Sequence, residues 1–191
     1  MSAACSSSTR HERRRTHMST KVLRLCSAID CSSIRLVCVV FALFQTCGVG
    51  AEELSGIAHV LDGDSLRVGK TEMRLHGIDA PESRQLCTIG TEQWACGQSA
   101  TRALREILGS SAVRCVWTKR DHYGRAIATC FKDGVLVNSK MVATGMALAY
   151  AKYSKRYVAD ELLARKHRRG IWRSTFIEPW KWRRAHPRAR S

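Results

Sequence analysis

Acidic residues are scarce in this chain of 191 residues: 16 aspartates and glutamates stand against 32 lysines and arginines, a formal net charge of +16. The first 51 residues carry seven basic and two acidic groups, so residues 52–191 keep 25 basic and 14 acidic groups, a charge of +11. Such a surplus favours a polyanionic partner, because neutralised phosphates release condensed counterions. Solubility alone explains the surplus equally well, so charge indicates nucleic acid only together with other features.

The sequence also lacks an apolar run as long as the about 20 residues that span a membrane comfortably. Residues 36–44 are apolar, follow a basic stretch, and precede Val49-Gly50-Ala51 and two glutamates. Small residues before a polar start are typical of signal-peptidase cleavage. We therefore predict that residues 1–51 are a leader with an N-terminal extension and that the domain is exported, periplasmic or secreted. Weaker apolar residues lengthen the run, so an uncleaved membrane anchor stays the alternative, and Met18 rivals Met1 as the start.

No two cysteines have the C-x-x-C spacing of a typical zinc site, which argues against structural zinc. Five of the nine cysteines lie in the predicted leader. The four that remain are Cys87, Cys96, Cys115 and Cys130, an even number that indicates two disulfides in an exported domain. Three pairings are possible. We favour Cys87–Cys96, which closes a short loop, and Cys115–Cys130, which joins two predicted neighbouring strands.

No internal repeat is visible, and 45% of the residues are hydrophobic, as in a globular protein. Turn residues and alternating apolar residues predict five strands, and three- and four-residue spacing predicts helices. The predicted strands cover residues 56–61, 65–68, 72–78, 112–118 and 127–131, and the helices cover 91–108, 137–144 and 159–169. This α+β order suits a five-stranded OB-fold barrel with about three covering helices, although other α+β folds share it.

Four segments are more specific than the order of helices and strands. Along the chain they are DGDSLRV at 62–68, MRLHGIDAPE at 73–82, DHYGR at 121–125 and HRRGIW at 167–172. In identity, order and spacing they resemble the staphylococcal nuclease (thermonuclease) family. The motif PWKWRR at 179–184 and the cysteines resemble its exported bacterial branch. The resemblance implies a nuclease domain over residues 52–172, followed by a basic, Trp/Arg-rich tail at 173–191. It further implies a calcium-dependent enzyme that hydrolyses DNA and RNA with little regard to sequence and leaves 3′-phosphates.

Asp64 lies in a predicted turn and Asp79 at the end of a predicted strand. Hard cations such as calcium bind carboxylate and carbonyl oxygens. The resemblance implies that Asp64 and Asp79, with the main-chain carbonyl of Ala80, are the calcium ligands. The family usually has threonine at position 80, but a main-chain ligand tolerates alanine. Alternatively, the aspartates only shape turns.

Hydrolysis of a phosphodiester needs a group that takes a proton from water and groups that stabilise the growing negative charge. The resemblance assigns the first role to Glu82 and the second to Arg74 and Arg125, whose guanidinium groups match phosphate oxygens. Individually, Glu82 also fits a solvated loop carboxylate, and the arginines fit surface residues paired with Asp62 or Asp121.

Tyr123 and Tyr150 lie near positions where the family stacks or hydrogen-bonds the nucleotide, although Tyr150 fits the core as well. We expect single-stranded or fraying DNA and RNA as substrates, a monomer, and no stable membrane association after leader cleavage. The alternative function is an inactive OB-fold module that only binds nucleic acid. The joint presence of the five charged residues favours the enzyme; they are Asp64, Arg74, Asp79, Glu82 and Arg125.

We predict that the mature protein begins near Glu52, because the apolar run ends in a small-residue cleavage site. Edman sequencing of protein recovered from the medium or periplasm tests this. Recovery of the full-length chain firmly in membranes would support the anchor instead.

Overall fold

The computed structural model describes residues 50–187, so the predicted leader lies almost wholly outside the described residues. Within this range no helix is long and apolar enough to cross a membrane. The strands are β1 (Glu52–Gly56), β2 (Ala58–Val60), β3 (Ser65–Val68), β4 (Thr71–Leu75), β5 (Ile78–Asp79), β6 (Cys87–Ile89), β7 (Glu92–Trp94), β8 (Val113–Arg120), β9 (Ala126–Lys132), β10 (Val135–Leu136) and β11 (Leu148–Ala149). The helices are α1 (Cys96–Leu108), α2 (Val137–Ala143), α3 (Val158–Lys166) and α4 (Pro179–Ala185), with a 3-10 turn at Gly170–Arg173.

The main sheet has the strand order β1-β8-β9-β4-β3-β2, with β10 paired to β9. Strands β4 and β9 run parallel, and the other neighbours in this sheet are antiparallel. Only Ile57 separates β1 from β2, yet the two lie at opposite ends of this order. The first strand therefore bends at Ile57 and pairs with both ends of the sheet, which curls into a barrel. The predicted α+β class and OB-like barrel are confirmed.

Alternate residues of the strands build the core, because successive side chains point to opposite faces. Leu66, Val68, Met73 and Leu75 are all nearly inaccessible to solvent. Alternation along β4 therefore places Met73 and Leu75 in the core. Arg74 between them faces the other way, which places its guanidinium outside the apolar core.

Helix α1 begins at Cys96 and not at the predicted residue 91. Residues Glu92–Trp94 form a strand that pairs with Cys87–Ile89 across a turn in which Gly90 has a φ of 60°. The helical spacing of small and apolar residues begins at Ala95, and the prediction extended the helix beyond it into this hairpin. A local turn therefore decides the conformation of these few residues.

The other helices fit the prediction to different degrees. Helix α2 ends one residue earlier than expected, and α3 ends at Lys166 because Arg168 and Gly170 take positive φ values of 50° and 53°. Helix α4 lies in the region predicted as a basic tail and was missed. Its signal was Glu178-Pro179, since proline is favoured in the first turn of a helix.

Both favoured disulfides are present, with S–S distances of 2.02 Å for Cys87–Cys96 and 2.06 Å for Cys115–Cys130. The second pair joins directly opposite residues of β8 and β9 inside the core. The first pair ties the β6–β7 hairpin to the start of α1.

We expect the double substitution Cys115→Ala with Cys130→Ala to lower the free energy of unfolding by about 3 kcal/mol, the value for a closed loop of about 15 residues. Urea unfolding followed by circular dichroism measures the change, and the reduced wild type serves as control. An unchanged midpoint, or four free thiols by mass mapping of the secreted protein, would contradict the assignment.

Candidate active site

Asp64 stands in the turn between β2 and β3 with its carboxylate fixed from several sides. Its N–H donates to Asp62 Oδ1 at 3.0 Å, and its carbonyl accepts the N–H of Leu75 at 2.8 Å. Its Oδ2 accepts the N–H of Ala80 at 3.0 Å, and its Oδ1 accepts the hydroxyl of Ser65 at 3.1 Å. Because only 3% of Asp64 is exposed, this turn holds a buried carboxylate in one position.

Arg74 joins the two predicted metal ligands. Asp79 ends β5, where it pairs with Leu148 of β11, and is fully buried. The Arg74 Nη2 donates to Asp64 Oδ2 at 2.9 Å and to Asp79 Oδ1 at 2.6 Å. The structure thus brings together three of the residues that the sequence singled out.

Burial and neighbouring charges shift the pKa values of Asp64 and Arg74, and some of these effects oppose each other. Burial raises the pKa of Asp64 and the nearby Asp79 adds to the rise, while Arg74 lowers it, so that the pKa ends above its usual value. Burial works against the charge of Arg74, but the two carboxylates raise its pKa above the usual value. The arginine therefore remains charged between the two aspartates.

Glu82 is positioned by its backbone. Its N–H donates to Gln85 Oε1 at 3.2 Å, and its carbonyl accepts the N–H of Gln85 at 2.7 Å. A Cβ added to Gly97 would lie 1.7 Å from the Glu82 carbonyl oxygen. The loop that carries Glu82 therefore rests directly on the first turn of α1, where only glycine leaves room for it.

Arg125 lines the same cleft as Arg74 and Glu82, a cavity of about 1720 Å³. Its Nε and Nη2 contact Asp121 Oδ2 at 2.9 and 2.8 Å. Burial raises the pKa of Asp121, but the hydrogen bonds from Arg125 lower it more, so it lies below its usual value. The pairing with Asp121, considered as an alternative from the sequence, is thus present, and it aims Arg125 at the cleft.

Both predicted tyrosines line this cleft as well. Tyr123 is 74% exposed. Tyr150 is half-buried, and its ring stacks on that of Trp180 with centroids 5.2 Å apart. Tyr123 is thus largely exposed, with the Arg125 guanidinium 5.5 Å from its ring centroid, whereas one face of Tyr150 is covered by Trp180.

Comparison with known proteins now identifies the relationship. Residues 72–174 match the family described as Staphylococcal nuclease homologue.

The chain belongs to this family.

Three relatives illustrate its range. The chain is 35% identical to the succinoglycan biosynthesis protein ExoI of Rhizobium meliloti (strain 1021), over 71% of this chain and 74% of that protein. It is 30% identical to the micrococcal nuclease of Shigella flexneri, over 83% of this chain and 96% of that protein. It is 31% identical to the staphylococcal-like nuclease CAN1 of Arabidopsis thaliana, over 60% of this chain and 34% of that protein. The predicted family is confirmed, and with it the enzyme class, a hydrolytic nuclease.

One site residue of this staphylococcal nuclease homologue was missed, and it lies beyond the matched residues. Arg183 of α4 donates from Nη1 to Asp79 Oδ1 at 2.9 Å and to Glu82 Oε1 at 2.7 Å. It also donates from Nη2 to Asp79 Oδ2 at 2.8 Å. Burial lowers the pKa of Arg183, but the two carboxylates raise it far above its usual value. The helix start at Glu178-Pro179 was the signal available, since it places Trp180 and Arg183 on one helical face.

The segment before α4 is fastened to the barrel, which fixes where Arg183 can reach. Thr175 and Thr88 exchange two backbone hydrogen bonds of 2.9 and 2.8 Å. The Gln85 Nε2 donates to the carbonyl of Ile177 at 2.6 Å. With the stacking of Trp180 on Tyr150, these contacts pack the tail onto the barrel.

The donor chemistry of the site fits a hard cation. The carboxylates of Asp64 and Asp79 and the backbone of Ala80 lie together, and carboxylate and carbonyl oxygens are the ligands that calcium prefers. Among residues 50–187 no group of three or more histidine, cysteine, aspartate or glutamate side chains is arranged to hold a metal ion, so the two carboxylates are the side-chain ligands that the site offers. Two protein carboxylates leave coordination positions for water and for a substrate phosphate.

We expect Gly97→Ala to lower nuclease activity, as kcat/KM, by about 100-fold if Glu82 has the catalytic role that the family resemblance implies, because a displacement of about 1 Å at a catalytic group has that effect. The added methyl group would clash with the Glu82 carbonyl and push its loop away. The exposed neighbour Gln98→Ala is the matched control, and circular dichroism verifies the fold. Equal activity of both variants would refute the role of this contact.

Proposed function

We propose that the chain is a calcium-dependent nuclease that hydrolyses phosphodiester bonds of DNA and RNA with little sequence preference and leaves 3′-phosphates. The observation that carries the proposal is the network of Asp64, Arg74 and Asp79 at an open cleft that Glu82 and Arg125 also line. The network combines oxygen ligands for a cation with guanidinium groups for a phosphate.

In the proposed reaction Glu82 accepts a proton from the attacking water at its carboxylate oxygen. The water oxygen bonds to phosphorus, the bond from phosphorus to the 5′ oxygen breaks, and that oxygen takes up a proton to become a hydroxyl. Arg74 and Arg125 donate to the phosphate oxygens, on which charge accumulates. Asp64, Asp79 and the Ala80 carbonyl would hold calcium, which would supply positive charge to stabilise the charged phosphate.

The cleft supports the proposed lack of sequence preference. Contacts from arginine to phosphate position a nucleic acid but do not read its bases. Stacking on an exposed ring such as Tyr123 accepts every base and needs a base that is unpaired. Single-stranded or fraying regions are therefore the proposed substrates.

The alternative of an inactive binding module explains the site less well. Asp64 and Asp79 lie buried beneath the cleft and bind Arg74 and Arg183, whose positive charge is then less available to a phosphate. A protein that only binds nucleic acid gains nothing from this arrangement. A nuclease needs it, because the carboxylates hold the cation.

We also propose that the protein is exported and acts as a monomer without stable membrane association. The two disulfides support export, since such bonds persist in oxidising compartments.

Glu82→Gln is expected to keep the fold and substrate binding but to reduce kcat roughly 100-fold or more, the contribution of a positioned proton acceptor. Steady-state cleavage of a fluorescent single-stranded oligonucleotide measures kcat, and binding to an uncleavable analogue measures affinity. Glu106→Gln, an exposed carboxylate on α1, is the control. Wild-type turnover in Glu82→Gln would refute the assigned base.

The substitutions Arg74→Lys and Arg125→Lys distinguish the effect of positive charge from the effect of guanidinium geometry. Lysine keeps the charge but cannot span two phosphate oxygens. We expect both to lose turnover, and Arg125→Lys to raise KM as well, since that residue also contacts the ground-state phosphate. Arg102→Lys on the exposed face of α1 is the control. Unchanged kinetics in both variants would show that neither guanidinium serves the reaction.

A further inference from the structure

Asp79 is contacted by guanidinium groups on both carboxylate oxygens. Its Oδ1 accepts from Arg74 at 2.6 Å and from Arg183 at 2.9 Å, and its Oδ2 accepts from Arg183 at 2.8 Å. Arg183 also holds Glu82 at 2.7 Å. One tail residue thus occupies the proposed metal ligand and the proposed base at once.

This arrangement conflicts with cation binding at the same oxygens. Calcium bonds to carboxylate oxygens at about 2.3–2.6 Å and needs the lone pairs that the guanidinium N–H groups now use. Two positive guanidinium groups also offset most of the negative charge of Asp64, Asp79 and Glu82, which weakens the attraction for a divalent ion. Arg183 must therefore leave the carboxylates when calcium binds to them.

We propose that Arg183 is an additional residue of the active site, an intramolecular competitor that holds Asp79 and Glu82 until calcium displaces it. This inference rests on the proposed calcium site. It adds that the affinity of that site is set by a residue outside the matched nuclease domain.

The two arginines on Asp79 differ in how easily they can move. Arg74 belongs to β4 in the middle of the main sheet and is 20% exposed at its side chain. Arg183 belongs to a helix of seven residues near the end of the described chain and is 33% exposed. Displacement therefore falls on Arg183, whose side chain is the more exposed of the two and lies outside the main sheet.

The range of that movement is limited by the contacts before α4. Thr175 is bonded to Thr88 of β6, and the neighbouring Cys87 is joined to Cys96 by a disulfide. After displacement, Arg183 therefore remains beside the cleft that it lines. It binds the carboxylates again when calcium dissociates.

Calcium titration of the full-length protein by calorimetry, without nucleic acid, tests the proposal in the wild type, Arg183→Gln, Arg183→Lys and Arg184→Gln. We expect Arg183→Gln to lower the calcium Kd about tenfold or more. A competitor that leaves the carboxylates accessible for less than about a tenth of the time raises the apparent Kd by that factor. Arg184→Gln removes the same charge from an exposed position of α4 and is expected to bind calcium like the wild type. Arg183→Lys keeps the charge but loses the paired N–H donors of the guanidinium group. Its calcium Kd is expected to lie between those of Arg183→Gln and Arg184→Gln.

Hydrogen exchange of α4 supplies the second measurement. Calcium is expected to speed amide exchange in residues 179–185 of the wild type and to have little effect on them in Arg183→Gln. Equal calcium Kd values for the wild type and Arg183→Gln would overturn the competitor role while leaving the calcium site intact. If none of the four proteins binds calcium, both the competitor role and the calcium dependence are overturned.

Discussion

The site depends on the placement of two buried carboxylates, Asp64 and Asp79, on either side of one guanidinium group. Removing one partner from a buried ion pair leaves an unpaired charge and typically costs about 3–5 kcal/mol. Arg74 therefore stabilises the arrangement as well as facing the cleft. In the proposed function a cation between the same carboxylates would relieve the same repulsion, so one arrangement would serve both stability and catalysis.

The barrel brings these groups together through backbone register. Ser65 of β3 lies opposite Arg74 of β4, so the turn that carries Asp64 ends beside the arginine. Asp79 follows only five residues later along the chain, after the turn at Gly77, where φ is 75°. The close fit continues at Ala80, since a Cβ on Gly63 would lie 2.7 Å from the Ala80 Cβ. Small residues at 63 and 80 thus let the turns that carry Asp64 and Asp79 approach each other.

Much of this could be predicted from the sequence, because alternation in strands and short-range turns are local properties. The inward Met73 and Leu75, the outward Arg74 and both disulfides follow from such rules. The start of α1 could not, since the pairing of Glu92–Trp94 with Cys87–Ile89 is a hairpin contact that the helical spacing farther along the chain does not indicate. Arg183 was beyond local rules too: its partners lie 104 and 101 residues earlier in the chain, and only the folded tail brings them into contact.

Whether the purified full-length chain cuts nucleic acid in a calcium-dependent way tests the central claim most directly. Single-stranded DNA and RNA would be incubated with the protein in calcium and, separately, in a calcium chelator, and the product ends analysed for phosphate. We predict cleavage of both substrates in calcium, with 3′-phosphate ends, and no cleavage in the chelator. Equal cleavage with and without calcium would contradict the assigned ligands, and absence of cleavage under both conditions would contradict the enzyme.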